Sequence, residues 1–383
     1  MVPRSASRRN DIDWLRIGAT GLLFPFHSAR PFDHGYWHVK SATTSEAFDV
    51  FVWFVHQFHM PLFFVLAGWS IARSLERRSV AEVRRERYAR LLLPFIAGVV
   101  LVSPPQAYVE AVTQRGFRGT FIEFLPRFFG SLESFSWHHL WFLLYLFTFT
   151  MLYLPLFGRL QRAGPARTAP GARFLYLAIV PFAAVQLGLR WRWPGFNNLY
   201  DDWANFAWYS LFFIGGFLVG WLPALEAMIR AERRRATAVF VVAILAMLPL
   251  LATLREHVVT PGPGYLAYWP LNAAAGVCGV AAILGWGSRL ATVDGRVFRH
   301  LRASALPVYV LHQTVIVLLG WWIADAAAPL GVRYVGLVVT ASAVTFGLYH
   351  FVVRRVRAVA FLFGMKLPDS AAAPSGVLGL GAP

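Results

Sequence analysis

Charge is scarce in this 383-residue chain: Asp, Glu, Lys and Arg together make up 14% of it, where soluble domains carry about 25%. Beside a 57% hydrophobic and 16% aromatic content, that scarcity excludes an ordinary water-soluble globular protein. One aqueous core of this length cannot hide so much apolar bulk. Cysteine is nearly missing as well. The lone Cys278 rules out an intrachain disulfide and any cysteine-built zinc or iron–sulfur centre, and it says nothing about compartment. Negative charge is the scarcer sign, with 19 acidic against 36 basic residues and a net charge of +17. Such a balance suits nucleic-acid binding when the cations gather on a soluble face. Here 34 of the 36 are Arg, set in short blocks between apolar runs. No repeat at a fixed period is visible, and no soluble stretch is long enough for a second domain.

What is present is a series of apolar segments at about 12–32, 48–72, 90–112, 138–157, 173–190, 205–222, 236–253, 268–287, 305–323 and 333–353. Each has the length of a bilayer crossing, about 17–25 residues. With the N-terminus inside, the cytoplasmic parts are 1–11, 73–90, 158–173, 223–235, 288–304 and the tail. Together with Arg16, just inside the first segment, they hold 27 of the 36 Lys and Arg, against nine outside, as expected when basic loops stay in the cytoplasm. The expectation is therefore all-α: a polytopic membrane protein, a bundle of about ten transmembrane helices, N-in and C-in. Residues 1–11 form a cytoplasmic N-terminus, 12–356 the membrane domain, and 357–383 a low-complexity tail expected to be disordered. Asp11, Asp13 and Arg16 interrupt the first apolar stretch, which argues against a cleaved signal peptide.

Ionisable side chains inside apolar segments cost several kcal/mol and mark candidate sites. In the first segment Arg16 and His27 are 11 residues apart, so on a helix they share one face within about 20°, about 16 Å apart along it. Asp13 is placed to pair with Arg16. Pro25 is expected to break the helix locally and leave room around His27. The second segment carries His56 and His59 before Pro61, which is expected to kink it; with no third ligand in step, no metal site is expected. His138, His139 and Trp141 open the fourth segment, and His312 lies in the ninth. Arg84, Arg87 and Arg90 recur every third residue, a row of guanidinium groups suited to a polyphosphate or simply to the cytoplasmic side of a membrane. Between 190 and 203, aromatic, amide and carboxylate groups suit either a sugar surface or an interfacial belt. Gly216-x-x-x-Gly220 marks close helix packing.

Taken in order, Asp13-x-x-Arg16-x10-His27-Ser28, Phe58-His59-Met60-Pro61 running to Gly68, Arg87-x-x-Arg90 leading to Pro94, His139-Leu-Trp141 and Pro307-x-Tyr309-x-Leu-His312 strongly resemble the membrane-bound acyltransferase family 3, along nearly the whole chain. Trp37-His38-Val39-Lys40-Ser41 looks like the glucan biosynthesis protein C branch of it. The resemblance implies transfer of an acetyl or succinyl group from cytoplasmic acyl-CoA to a hydroxyl of an extracytoplasmic glycan or glycolipid, in the bacterial inner membrane and without a metal. It implies His27 as the catalytic centre, acting as general base or through a transient acyl-imidazole, with Arg16 orienting the donor. Arg87, Arg90 and Arg84 would bind the CoA phosphates. Trp37, His38, His59, His139, Trp141 and His312 would line the acceptor side. No intramembrane carboxylate is clearly placed to orient His27. The competing class is a glycolipid transporter or flippase, against which the missing two-half symmetry counts.

Overall fold

The computed structural model describes residues 10–131, 134–165, 171–254, 260–290 and 292–365. Among them every regular element is helical. In chain order these are α1 (Asp11–Ala29), α2 (Glu46–Leu75), α3 (Val80–Arg115), α4 (Phe121–Gly130), α5 (His138–Ala163), α6 (Arg173–Leu189), α7 (Trp203–Trp221), α8 (Pro223–Leu254), α9 (Pro263–Leu290), α10 (Arg296–Ile323), α11 (Leu330–Val353) and α12 (Arg357–Leu362). Each of the ten apolar segments falls on one of them. Seven helices (α2, α3, α5, α7, α9, α10 and α11) are long and apolar enough to cross a membrane. Two others fall short of that measure: α1 carries Asp11, Asp13 and Arg16, and α6 is short. In α8 the charges Glu226, Arg230 and the Glu232–Arg235 run occupy the first turns, ahead of the uncharged apolar stretch 236–253. The tail expected to be disordered from 357 begins instead as the helix α12; residues 366–383 lie outside the described residues, as do 1–9.

Local chemistry explains the breaks. α2 is interrupted at Gln57 and Phe58. Pro61 has no N–H to give the carbonyl of Gln57, and its ring crowds that same carbonyl. The kink expected at Pro61 is thus a break four residues upstream. Pro25 behaves differently: α1 runs unbroken from Asp11 to Ala29 with Pro25 inside it, so the local break expected there does not occur. The carbonyl of Pro25 instead accepts the Tyr334 hydroxyl, one tie between α1 and α11. α3 starts at a capping box in which the Ser79 side chain and Glu82 bond reciprocally, takes a π-helical turn at Tyr88–Leu92, and ends at Gly116, whose φ of 68° needs a residue without Cβ.

Small residues set the closest packing. A Cβ on Gly68 of α2 would lie 2.0 Å from the Phe213 carbonyl oxygen, and one on Gly216 of α7 would lie 2.0 Å from that of Val65. The two backbones touch, as Gly216-x-x-x-Gly220 leads one to expect. Aromatic rings fill the space beside this seam, with Phe157 and Phe217 stacked at 3.8 Å. On the periphery the pattern reverses: Val332, Val335, Val339 and Val344 of α11 are exposed, an apolar face suited to lipid rather than water.

Candidate active site

Two cavities lie along the inward face of α1. The first, of about 330 Å³, is lined by Arg16, Arg78, Arg87, Arg90 and Arg302, with Glu86 as the one carboxylate in its wall. Arg16 donates to Asp13 Oδ1 at 2.8 Å and to Ser70 Oγ at 2.8 Å. The expected Asp13–Arg16 pair is therefore formed, and the second nitrogen of Arg16 ties α1 to α2. Arg78 and Arg90 both reach Glu86, at 2.6 Å and 3.3 Å. Asp13 also reaches Arg302, at 3.6 Å, so two carboxylates face five guanidinium groups. Moreover, Arg87 Nε is buried without a hydrogen-bond partner among the described residues, which leaves a donor for an incoming anion. Arg84 is exposed and takes no part in this lining. Arg90 sits inside the π-helical turn, where the extra residue changes the spacing of side chains around the axis. The row expected from a regular helix is split, with Arg87 and Arg90 lining the cavity and Arg84 outside it. Arg78 and Arg302 were not singled out in the sequence, because in a basic loop and a basic helix start nothing distinguishes them from their neighbours.

The second cavity, about 370 Å³, contains seven of the 11 histidines in its wall. His27, His38, His59, His139 and His312, with Trp37 and Trp141, all line it, joined by His56 and His138. These residues come from α1, the loop after it, α2, α5 and α10, and the fold brings together all the acceptor-side residues singled out in the sequence. Tyr309 lines both cavities, and its hydroxyl donates to the carbonyl of His139. Tyr309 is thus the one residue among those described that lines both the arginine and the histidine cavities.

Backbone carbonyls hold three of the imidazoles. A carbonyl can only accept, so the bonded nitrogen carries the proton. His59 Nε2 donates to Ala19 O at 2.7 Å, His139 Nε2 to Val310 O at 3.0 Å, and His312 Nδ1 to Tyr309 O at 2.6 Å. His59 is thus tied to α1. His27 is held by packing: its ring lies 4.8 Å from that of Phe26, 5.0 Å from His312 and 6.3 Å from Trp37, the last stacked.

His38 belongs to a separate network. Its Nδ1 lies 2.5 Å from Glu110 Oε2, and Glu110 Oε1 accepts from the Tyr36 hydroxyl at 2.7 Å and Arg115 at 2.8 Å. Gln313 Nε2 is 3.1 Å from His38 Nε2 and 3.1 Å from Gln106 Oε1. Burial and the Glu110 carboxylate together hold the Tyr36 phenol above its ordinary pKa. Sequence inspection passed over Glu110, although a carboxylate in the third apolar segment is itself a signal. His38, Glu110 and His138 have ligand atoms within 4.8 Å of one another, the one group among the described residues with metal-ligand spacing. The Glu110 oxygens already accept from Tyr36, His38 and Arg115.

A third and larger cavity, about 1030 Å³, is walled by α3 and α4 and by the segment leading to α5. His38, Ser136 and His138 line both it and the histidine cavity. Of the segment at 190–203, only Phe196 and Asn197 line the histidine cavity. Arg190 is buried on Gln186, Pro194 O and Asn205, which is a structural role.

Residues 9–350 match the family described as an acyltransferase domain. Proteins named Glucans biosynthesis protein C from Salmonella heidelberg, Salmonella enteritidis PT4 and Salmonella choleraesuis are each 24% identical over 387 residues, covering 95% of this chain and 96% of theirs. No solved structure matches.

Proposed function

The chain belongs to this acyltransferase family, and on that premise we propose that it is a multi-pass O-acyltransferase taking an acetyl or succinyl group from cytoplasmic acyl-CoA to a hydroxyl of a glycan or glycolipid across the bacterial inner membrane. One observation carries the reading: the arginine cavity and the histidine cavity lie end to end along α1, with Tyr309 in both walls. Guanidinium groups bind phosphates, and neutral imidazole is the side chain that takes and returns a proton near pH 7. The donor nucleotide rests on Arg16, Arg87 and Arg90, and its acyl thioester extends past Tyr309 toward His27. The acceptor comes from the opposite end through the large cavity behind Ser136 and His138.

In this reading the acceptor oxygen attacks the thioester carbonyl as its O–H proton passes to His27. The carbon–sulfur bond breaks, the new ester forms, and His27 returns the proton to the thiolate of CoA. Attack by His27 itself, giving an acyl-imidazole, is the covalent variant. A flippase shares the cavities but has no thioester to bind. Two measurements test the proposal: acyl-CoA binding to the purified protein, and mass spectrometry of envelope glycans from cells with and without it. A gain of one acyl unit per modified glycan is expected; unchanged glycan masses together with no acyl-CoA binding would sink the assignment.

A further inference from the structure

A base needs a free lone pair on one ring nitrogen and a proton on the other, and the second nitrogen needs a partner to fix that arrangement. For His27 the usual partner, a carboxylate, is absent among the described residues. Glu110 is occupied by Tyr36, His38 and Arg115, and Asp33 holds Arg30 and Lys40. Yet His27 Nδ1 is buried with no hydrogen bond, which in a well-packed interior asks for an explanation.

A second orphan lies beside it. His312 is fully buried, and its Nε2 also lacks a partner among the described residues. Its protonation is settled by the backbone: Nδ1 donates to the Tyr309 carbonyl at 2.6 Å, so the neutral ring has its lone pair on Nε2. The two rings are 5.0 Å apart between centroids. His139 Nδ1 is likewise an unpartnered lone pair, because its Nε2 donates to Val310 O. However, its ring stands 5.0 Å from His312, and two acceptors cannot bond each other. Of these three rings only His27, whose Nδ1 no hydrogen bond fixes, can supply a donor to His312.

We propose that His312 is the positioning residue for His27, resting on the acyl-transfer reading above. The Tyr309 carbonyl holds the proton on His312 Nδ1; the His27 and His312 rings turn from the positions in this structure, where neither facing nitrogen is bonded, so that His312 Nε2 accepts the Nδ1–H of His27; and His27 Nε2 is thereby left unprotonated toward the cavity. When the acceptor O–H bond breaks, its proton goes to His27 Nε2. The imidazolium formed is held by the same hydrogen bond until the proton leaves for the thiolate. A buried imidazole, itself fixed by a main-chain carbonyl, does the work of the orienting carboxylate without placing a negative charge in the membrane.

The two side-chain amides separate this role from packing. Asparagine places its amide where His312 Nδ1 lies, keeping the Tyr309 bond and losing the acceptor; glutamine reaches the Nε2 position and can present an oxygen there. Transfer would be followed from labelled acetyl-CoA and succinyl-CoA to glucan oligosaccharides by purified protein in lipid nanodiscs. His312→Asn should lower kcat about 100-fold at unchanged KM for acyl-CoA, in the range that holding the correct tautomer is worth elsewhere, while His312→Gln stays within about tenfold of wild type. Modification of His27 by diethyl pyrocarbonate, read by mass spectrometry, should be fast in wild type and His312→Gln and slow in His312→Asn. That measurement needs no turnover, so it reads the pair even if neither acyl-CoA proves to be a donor, an outcome that would instead fail the proposed function. Near-wild-type kcat and labelling in His312→Asn would overturn the pairing. Equal losses in both variants with raised KM would overturn it too, reducing His312 to packing.

Discussion

At the scale of single residues, the two ends of α1 should separate by kinetics. His27→Gln keeps shape and some hydrogen bonding but cannot accept a proton, so transfer should fall by about 10²–10⁴, the worth of a general base. Acyl-CoA binding should hold, since the lost group acts on the acceptor hydroxyl. Complete loss of transfer would instead favour the acyl-imidazole route; nearly full turnover would make His27 a packing residue. Arg87→Ala and Arg90→Ala should each weaken acyl-CoA binding by about 1.5–3 kcal/mol, roughly ten- to a hundredfold. Arg84, exposed and outside the cavity, supplies the internal control. Calorimetry on the three variants checks this: equal affinities throughout would mean that the cluster serves topology alone. The sequence made Arg84, Arg87 and Arg90 look equivalent, but Arg84 and Arg87 both precede the π-helical turn, and Arg84 leaves the set because it is exposed outside the cavity.

At the scale of elements, the α2–α7 seam is the contact with least tolerance. A Cβ at Gly216 would meet the Val65 carbonyl oxygen at 2.0 Å, and a backbone atom cannot swing aside as a side-chain end can. Gly216→Leu should therefore force the helices apart, at about 1–3 kcal/mol or more. The readout is a lower thermal unfolding midpoint in detergent, alongside a control such as Gly215→Leu, where nothing lies within 4 Å. If both variants melt together with wild type, close approach of these helices is not what sustains the bundle. This seam was legible beforehand as a small-x-x-x-small pattern. The break in α2 was visible as Pro61, but its place at Gln57 follows from proline acting on the carbonyl four residues back. The continuous α1 through Pro25 was not legible, because a proline inside an apolar helix is tolerated in a packed membrane bundle, and nothing beside Pro25 in the sequence distinguishes it from the breaking Pro61.

For the molecule as a whole, direction is the property to test. The 27-to-9 division of Lys and Arg leads to reporter fusions after Lys40 and after Lys366 reporting opposite sides of the membrane; the same side for both would overturn the ten-crossing, N-in and C-in reading. The passage between the large cavity and the histidine cavity gives a second whole-molecule test, since Ser136 lines both. Ser136→Trp should block the acceptor and depress transfer at least tenfold at fixed glucan concentration, with acyl-CoA binding unchanged. Unimpaired transfer in that variant would place the acceptor's route elsewhere.

Composition and spacing alone determined that the chain is a helical membrane protein, because scarce charge and apolar runs of bilayer length admit few other solutions, and the ordered motifs pointed to acyl transfer. They also put Arg16 and His27 on one face, since both lie on one helix and helical geometry is local. Only the tertiary structure decided what surrounds that face. His38 turned out to serve Glu110, His59 the carbonyl of Ala19, and His312 the carbonyl of Tyr309. Tyr309 lies on the same helix as His312, but for His38 and His59 the nitrogen left free depends on what another helix presents, the Glu110 carboxylate or the Ala19 carbonyl. That is a property of packing between distant segments, and no pattern along one segment encodes it.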